Sequence, residues 1–292
     1  MENRPDFNQA YKEAINKLNP AQKEAVEAIE GPVMVIAGPG TGKTQILAAR
    51  IGMILQKTDC NPSNILCLTY TDAGVVAMRK RLTDFIGPDA HKVGIYTFHS
   101  FCNEVIQENS SMMGIGELSV MNDLDSVQVF EELLNALPNS HPLKNLKGFY
   151  SYNGHLKHLF GIMRDENWTV EFIKTKSKEY LESLKEDEKF YYKTSSKKFG
   201  YEKGDLKQSS FDDECSKIDK LLKGALLLDR YQEIKKKRKL YDFQDMIQWV
   251  MKAFQTNGEL LADYQEKFQY ILVDEYQDSN GSQNEIIQLL IS

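Results

Sequence analysis

The sequence predicts an α/β chain: a parallel sheet with helices on both faces, interrupted by an inserted all-helical subdomain. Two apolar runs of β type frame it, Val33-Met34-Val35-Ile36 near the start and Ile271-Leu272-Val273 near the end, each followed at once by residues with chemistry. Strand-like and helix-like segments alternate outside the middle of the chain, as in a parallel sheet with right-handed crossovers. Between about 108 and 228 the strand signal fades and helical periodicity replaces it.

Leu18-Asn19-Pro20-Ala21-Gln22 opens the first helix, with Asn19 as N-cap, Pro20 as first helical residue and Gln22 as the reciprocal partner of a capping box. An amide also donates and accepts at once, so Gln22 is a candidate for reading an adenine edge. A strand over Val33–Ala37 then enters Ala37-Gly38-Pro39-Gly40-Thr41-Gly42-Lys43-Thr44. A glycine-rich turn between strand and helix converges backbone N–H groups on phosphate oxygens, and the helix adds its positive end. Gly38, Pro39, Gly40, Thr41 and Gly42 make the cradle; Lys43 reaches the β- and γ-phosphates and Thr44 offers its hydroxyl to Mg²⁺. Ala37 stands where the strict pattern has glycine, while Gly40 and Gly42 keep the tightest points of the turn. Leu47, Ile51, Ile54 and Leu55 then recur at helical spacing.

Strands over Ile65–Thr69 and Val93–Tyr96 follow, each with a helix. They exit through Leu68-Thr69-Tyr70-Thr71-Asp72 and Tyr96-Thr97-Phe98-His99-Ser100-Phe101, at the strand ends where such sheets bind ligands. Tyr70, Phe98 and His99 offer faces for single-stranded bases, and Thr69 and Ser100 offer hydroxyls to phosphates. Taken alone, the same aromatics read as loop packing. In the insertion, Leu124, Val127, Phe130, Leu133, Leu134 and Leu137 form an apolar stripe capped by Asn122 or Asp123. Helical segments surround Leu156–Met163, Val170–Leu184 and Ile218–Leu228. Lys174–Lys203 mixes lysines with interleaved aromatics, a composition that could meet duplex phosphates, but Glu179, Glu182, Glu186, Asp187 and Glu188 dilute it, and a solvated helical face is the preferred reading. Lys235-Lys236-Lys237-Arg238-Lys239 reads as a helix C-terminus balancing its dipole, with DNA contact as the alternative.

The strand Ile271–Asp274 ends on a carboxylate that an apolar setting penalises unless a cation meets it, and Mg²⁺ supplies one. Glu275 is then placed to polarise a water attacking the γ-phosphate. Lys43 and Asp274 stand 231 positions apart, too far for one compact nucleotide-binding domain without an insertion. The predicted division is 1–107 with 229–292 for the sheet domain and 108–228 for the helical one. A single helix over Asn284–Ile291 follows the acidic pair, and since open parallel sheets usually continue, a fragment of a longer protein is expected.

Composition narrows the class. The chain has 292 residues, 41% hydrophobic, and no stretch with the roughly 20 consecutive apolar residues of a membrane span. The start has no apolar signal core, so a cytoplasmic location without a membrane partner is expected. Cys60, Cys67, Cys102 and Cys215 lack metal spacing and read as reduced thiols. A net charge of −6 argues against a surface that coats polyanions wholesale, but not against a local groove.

In order, the Gln22 segment, the Gly40-Thr41-Gly42-Lys43-Thr44 loop, Leu68-Thr69-Tyr70-Thr71, Thr97-Phe98-His99-Ser100, Tyr241-Asp242-Phe243-Gln244-Asp245 and Val273-Asp274-Glu275-Tyr276-Gln277-Asp278 resemble the motifs of superfamily 1 DNA helicases of the UvrD/Rep/PcrA type. The resemblance covers about 16–107 and 238–290. It implies a RecA-like P-loop domain and an ATP- and Mg²⁺-dependent motor acting on single-stranded DNA and duplex junctions. It assigns adenine to Gln22, phosphate to Lys43, Mg²⁺ to Thr44 and Asp274, water activation to Glu275 and γ-phosphate sensing to Gln277. DNA contact falls to Thr69, Tyr70, Thr71, Thr97, Phe98 and His99. It also implies a second, C-terminal motor domain of the same polypeptide. Gln45 replaces an expected arginine, and Asp72-Ala73 replaces an expected Asn-Lys, which points to weaker DNA contact there. A non-unwinding nucleotide-binding regulatory module and the motor portion of a helicase–nuclease subunit stand as alternatives. A small-molecule kinase is disfavoured, because nothing resembles an acceptor site.

Overall fold

The computed structural model describes residues 9–38, 40–144 and 152–292. In chain order they form α1 (Gln9–Asn16), α2 (Pro20–Glu27), α3 (Lys43–Lys57), β1 (Ile65–Thr69), α4 (Asp72–Ile86), β2 (Gly94–Thr97), α5 (Phe98–Asn109), β3 (Ser119–Val120) and α6 (Asp123–Asn135). There follow α7 (Asn153–Asp165), α8 (Val170–Ser183), α9 (Gln208–Ala225), α10 (Leu228–Lys237), β4 (Leu240–Tyr241), α11 (Phe243–Thr256), α12 (Gly258–Lys267), β5 (Tyr270–Val273) and α13 (Gly281–Ile291). No described helix is long and apolar enough to cross a membrane.

Two compact units result. One comprises the described residues up to Gly116 together with Asp245–Ser292, the other Glu117–Gln244. The second unit therefore ends later than the expected 228. The reason is α10: Tyr231 and Ile234 on its apolar face are buried in the helical core, and periodicity alone does not say which core a helix joins.

The sheet of the first unit runs β2-β1-β5, all parallel, with Thr69 opposite Thr97 and Leu68 opposite Val273. β1 is buried along its whole length, as a near-continuous apolar strand covered on both faces must be. Ile65 and Cys67 share one cluster with Ile51, Ile54, Met78 and Leu82 of α3 and α4; Leu66 and Leu68 alternate to the other face. Beyond this cluster Phe101 of α5 meets Tyr264 of α12 and Phe268 at ring separations of 6.2 Å.

The expected strand at Val33–Ala37 is not formed. Its apolar side chains are exposed, Met34 at 78% and Ile36 at 93%. Apolar β-type residues make a strand only when a neighbour takes their backbone hydrogen bonds. Among the described residues, β1 has a partner on each side and β5 pairs with β1 alone, so the Val33–Ile36 ribbon joins no sheet.

The second unit packs around Phe130, Phe160 and Tyr231, whose rings lie 5.0 to 5.9 Å apart. Asn122 is the cap of α6, closing a capping box with Asp125. The predicted stripe is partly right: Phe130, Leu133, Leu134 and Leu137 are buried with Val129, whereas Leu124 and Val127 face water.

Beside this core Arg164 donates to both oxygens of Asp242 at 2.8 and 2.9 Å, and Lys235, only 1% exposed, donates to Oδ2 at 3.0 Å. The basic run ending α10 thus begins with a buried structural lysine. Burial pushes the Asp242 carboxyl up, but Arg164 and Lys235 outweigh it and hold it below the usual carboxylate range. That stabilisation is present above the unfolded-state pKa and lost as pH falls through the depressed value. Asp242→Asn removes the carboxylate to which both cations donate and is expected to cost about 3–5 kcal/mol. Urea unfolding at neutral pH measures it, and the deficit should shrink on acidification.

Candidate active site

The site assembles where the N-terminus of α3 meets the carboxyl end of the sheet. Gly40 and Gly42 adopt left-handed φ values of 75° and 79°, which only glycine takes without strain. Gly42 is the N-cap of α3 and offers no side chain to it, whereas α2, α4 and α5 are capped by Asn19, Thr71 and Thr97. The Gln45 N–H turns back to the Gly42 carbonyl at 2.9 Å, and the Lys43 and Thr44 N–H groups at the start of α3 are the ones suited to an anion. Thr41 closes the turn by donating its hydroxyl to the Gly38 carbonyl at 2.7 Å. Pro39 lies outside the described residues.

Gln22 has two duties in this structure. Its Oε1 accepts the Asn19 N–H at 2.9 Å in the capping box, and its Nε2 donates to the Thr41 carbonyl at 3.2 Å. Capping therefore explains one end of the amide, and the other ties α2 to the phosphate loop.

Lys43 and Glu275, 232 positions apart, are in contact: Nζ lies 3.0 Å from Oε1 and 3.1 Å from Oε2. Gln277 donates to Glu275 Oε2 at 2.6 Å. This hydrogen bond first, and Lys43 second, hold the Glu275 carboxyl below its ordinary range. Glu275 itself sits at φ 51°, ψ 44°, a left-handed conformation costing a non-glycine residue roughly 1–2 kcal/mol. Such local tension at a residue with chemistry is a recurrent feature of working sites.

Asp274 is fixed by its backbone, its N–H donating to Leu68 O at 2.8 Å as a continuation of β5 against β1. Its Oδ1 accepts the Glu275 N–H at 3.1 Å. Burial, and then the Glu275 charge, push the Asp274 carboxyl up against the opposing pull of that N–H and Lys43. A carboxylate so burdened is one that a divalent cation relieves. The Asp274 carboxylate and the Thr44 hydroxyl, in the first turn of α3, are hard oxygen donors of the kind Mg²⁺ takes. Among the described residues no group of three His, Cys, Asp or Glu is placed to hold a metal ion.

The loops leaving β1 and β2 open at the same sheet edge. Tyr70 is 55% exposed, and Thr71 and His99 also face solvent. Phe98 is 3% exposed, so its ring is core rather than a stacking face, and Thr69 and Thr97 are likewise buried. Thr69 packs against Gly74, where a Cβ would overlap its hydroxyl, and Thr97 shares a capping box with Ser100. Asp72 does not cap α4, as Thr71 does so by accepting the Gly74 N–H at 3.0 Å; Asp72 occupies the first turn, favourable to the dipole. Arg81 was not singled out from sequence: its Nη1 lies 3.4 Å from Gln45 Oε1, bringing a guanidinium from α4 to the start of α3. No local pattern relates two residues on different helices.

The model of the UvrD/REP helicase N-terminal domain matches residues 18–292. The ATP-dependent DNA helicase PcrA of Bacillus subtilis (strain 168) is 29% identical over 288 residues, 97% of this chain and 32% of that protein. The proteins of the same description from Staphylococcus aureus (strain Mu50) and Staphylococcus epidermidis are 26% and 27% identical, over 95% and 94% of this chain. The chain spans about a third of the length of these curated relatives.

The raised Asp274 carboxyl makes a stability forecast. At neutral pH the folded chain carries a charge it holds less readily than the unfolded chain does, a cost that protonation removes. Asp274→Asn should therefore raise the urea midpoint at neutral pH. The advantage should fade as pH falls and the native Asp274 becomes neutral as well.

Proposed function

The chain belongs to the UvrD/REP helicase family, matching its N-terminal domain, and from that premise we propose that it is the ATP-binding part of a Mg²⁺-dependent motor that moves on single-stranded DNA and opens duplexes. The observation that carries this reading is the Lys43–Glu275 contact at the uncapped start of α3. It brings the phosphate-seeking amine and the carboxylate suited to water activation to one point.

The loop N–H groups and Lys43 bind the β- and γ-phosphates, and Gln22 turns its amide from Thr41 to the adenine. Thr44 and Asp274 would hold Mg²⁺, which when bound would neutralise charge on the phosphate oxygens. Lys43 has one amine, so phosphate and Glu275 compete for it. Binding the triphosphate releases the Glu275 carboxylate to orient the attacking water and take its proton. Gln277, already bonded to that carboxylate, aims it and senses the γ-phosphate. Tyr70, Thr71 and His99 contact the single strand from the carboxyl edge of the sheet, while Thr69, Thr97 and Phe98 set those loops from beneath. Residues outside this chain, including an arginine that stabilises the transferring phosphoryl group, complete the site, so these 292 residues alone bind Mg-ATP and turn it over slowly.

In the full-length protein, Lys43→Ala is expected to abolish ATP binding. Glu275→Gln should bind ATP at least as tightly as the native protein, because the competing carboxylate is gone, while turnover falls about 10²-fold or more. Equilibrium nucleotide binding and steady-state hydrolysis separate the two; undiminished turnover in the second variant would exclude Glu275 as the base. Hydrolysis indifferent to DNA would favour a regulatory module that does not unwind.

A further inference from the structure

The lysine- and aromatic-rich part of the second unit departs from the helical face its composition suggests. After a 3-10 turn at Glu188–Phe190 the chain forms an irregular hairpin, with antiparallel bridges at Tyr191–Leu206 and Ser196–Tyr201. Tyr192 N–H donates to Asp205 O, and Gly204 N–H returns to Tyr192 O, both at 2.9 Å. Buried Phe190 meets Phe211 of α9 edge-on at 5.9 Å and pins the hairpin to the helical unit.

On the hairpin the rings of Tyr192 and Tyr201 stack at 3.6 Å and 8°, and Phe199 continues the series at 6.4 Å and 11°. Phe199 is 71% exposed. An outward aromatic ring whose plane is set by two stacked tyrosines offers a preformed surface to another flat ring.

The charge around it is one-sided. Residues 189–207 carry six lysines against Glu202 and Asp205, in a chain of net charge −6. Lysines of the neighbouring helices are neutralised locally, as in Lys176–Glu179, Lys217–Glu214 and Lys223–Asp219 at 2.7 to 2.8 Å. Among the described residues Lys193, Lys197, Lys198 and Lys203 of the hairpin have no carboxylate at that range. Lys198 Nζ instead lies 5.5 Å from the Phe199 ring centroid.

Stacked rings ending in an exposed face, ringed by uncommitted cations, match one chemistry: unpaired bases on a phosphate backbone. We propose that this hairpin is a second nucleic-acid site, a stacking platform for single strands, in which Phe199 takes a base and Lys193, Lys197, Lys198 and Lys203 take phosphates. Duplex buries its base faces, and acidic protein offers flat rings only where an aromatic side chain falls beside its carboxylates, whereas a single strand repeats an open base and a phosphate at every residue, so single strand is the occupant that uses both features. The site goes beyond the motor reading, since it needs neither ATP nor the carboxyl edge of the sheet.

The test is fluorescence anisotropy of the full chain, without nucleotide, on a labelled oligothymidylate of about 16 residues. Phe199→Ala, exposed and so neutral for folding, should weaken binding roughly tenfold. It should do so equally in a Lys43→Ala background, and an abasic strand should bind Phe199→Ala and the native chain alike. Lys197→Glu with Lys198→Glu should weaken both strands and flatten the salt dependence. Unchanged thymidylate binding by Phe199→Ala, or equal losses on thymidylate and duplex, would overturn the stacking site. Tyr70→Ala separates the outcomes: its effect reports the sheet-edge contacts and is independent of the hairpin.

Discussion

One contact organises the first unit: the Lys43 amine against the Glu275 carboxylate. Both side chains are about a third exposed, so in energy this ion pair contributes at most about 1 kcal/mol and is screened by salt. Its importance is geometric. It requires β5 beside β1, Asp274 tied to Leu68, and the start of α3 brought to the same edge, although a whole helical unit separates the two residues in sequence. The pair also fills the positive pole of the loop with a local anion, so the lysine is never left without a countercharge while awaiting one.

The two acidic neighbours are unlike because their surroundings differ. Asp274 suffers burial and the adjacent anion, and its affinity for a proton or a cation rises. Glu275 is relieved by Gln277 and Lys43 and stays ionised. Two consecutive carboxyls are thereby divided into one held above the ordinary carboxylate range and one held below it, a division made by partners rather than by residue type.

What was legible in the sequence was local. Asn19 with Gln22 is a cap whose partners lie three residues apart, and Gly40 and Gly42 mark turns by conformations that only glycine favours, so both appear where their patterns say. The acidic pair was legible because polar residues ending an apolar run are conspicuous. Features that depend on distant partners were not. Val33–Ile36 has strand composition but pairs with no described strand, and Phe98 looks like a loop aromatic until the packing above β2 buries it. Lys235 sits in a basic run that reads as a helix end balancing its dipole, yet Asp242 on the following strand connection draws it inside. The hairpin after α8 was hidden for the same reason, since its stacked rings meet across the turn.

The unpaired Val33–Ile36 ribbon has a practical consequence for anyone handling these residues in isolation. It sets four apolar side chains and a row of open peptide groups in water, while β5 presents a bare edge of matching length. Exposed edges of that kind adhere to one another. An exposed apolar ribbon of this kind favours self-association of the isolated polypeptide, which lysine or proline placed in it would oppose.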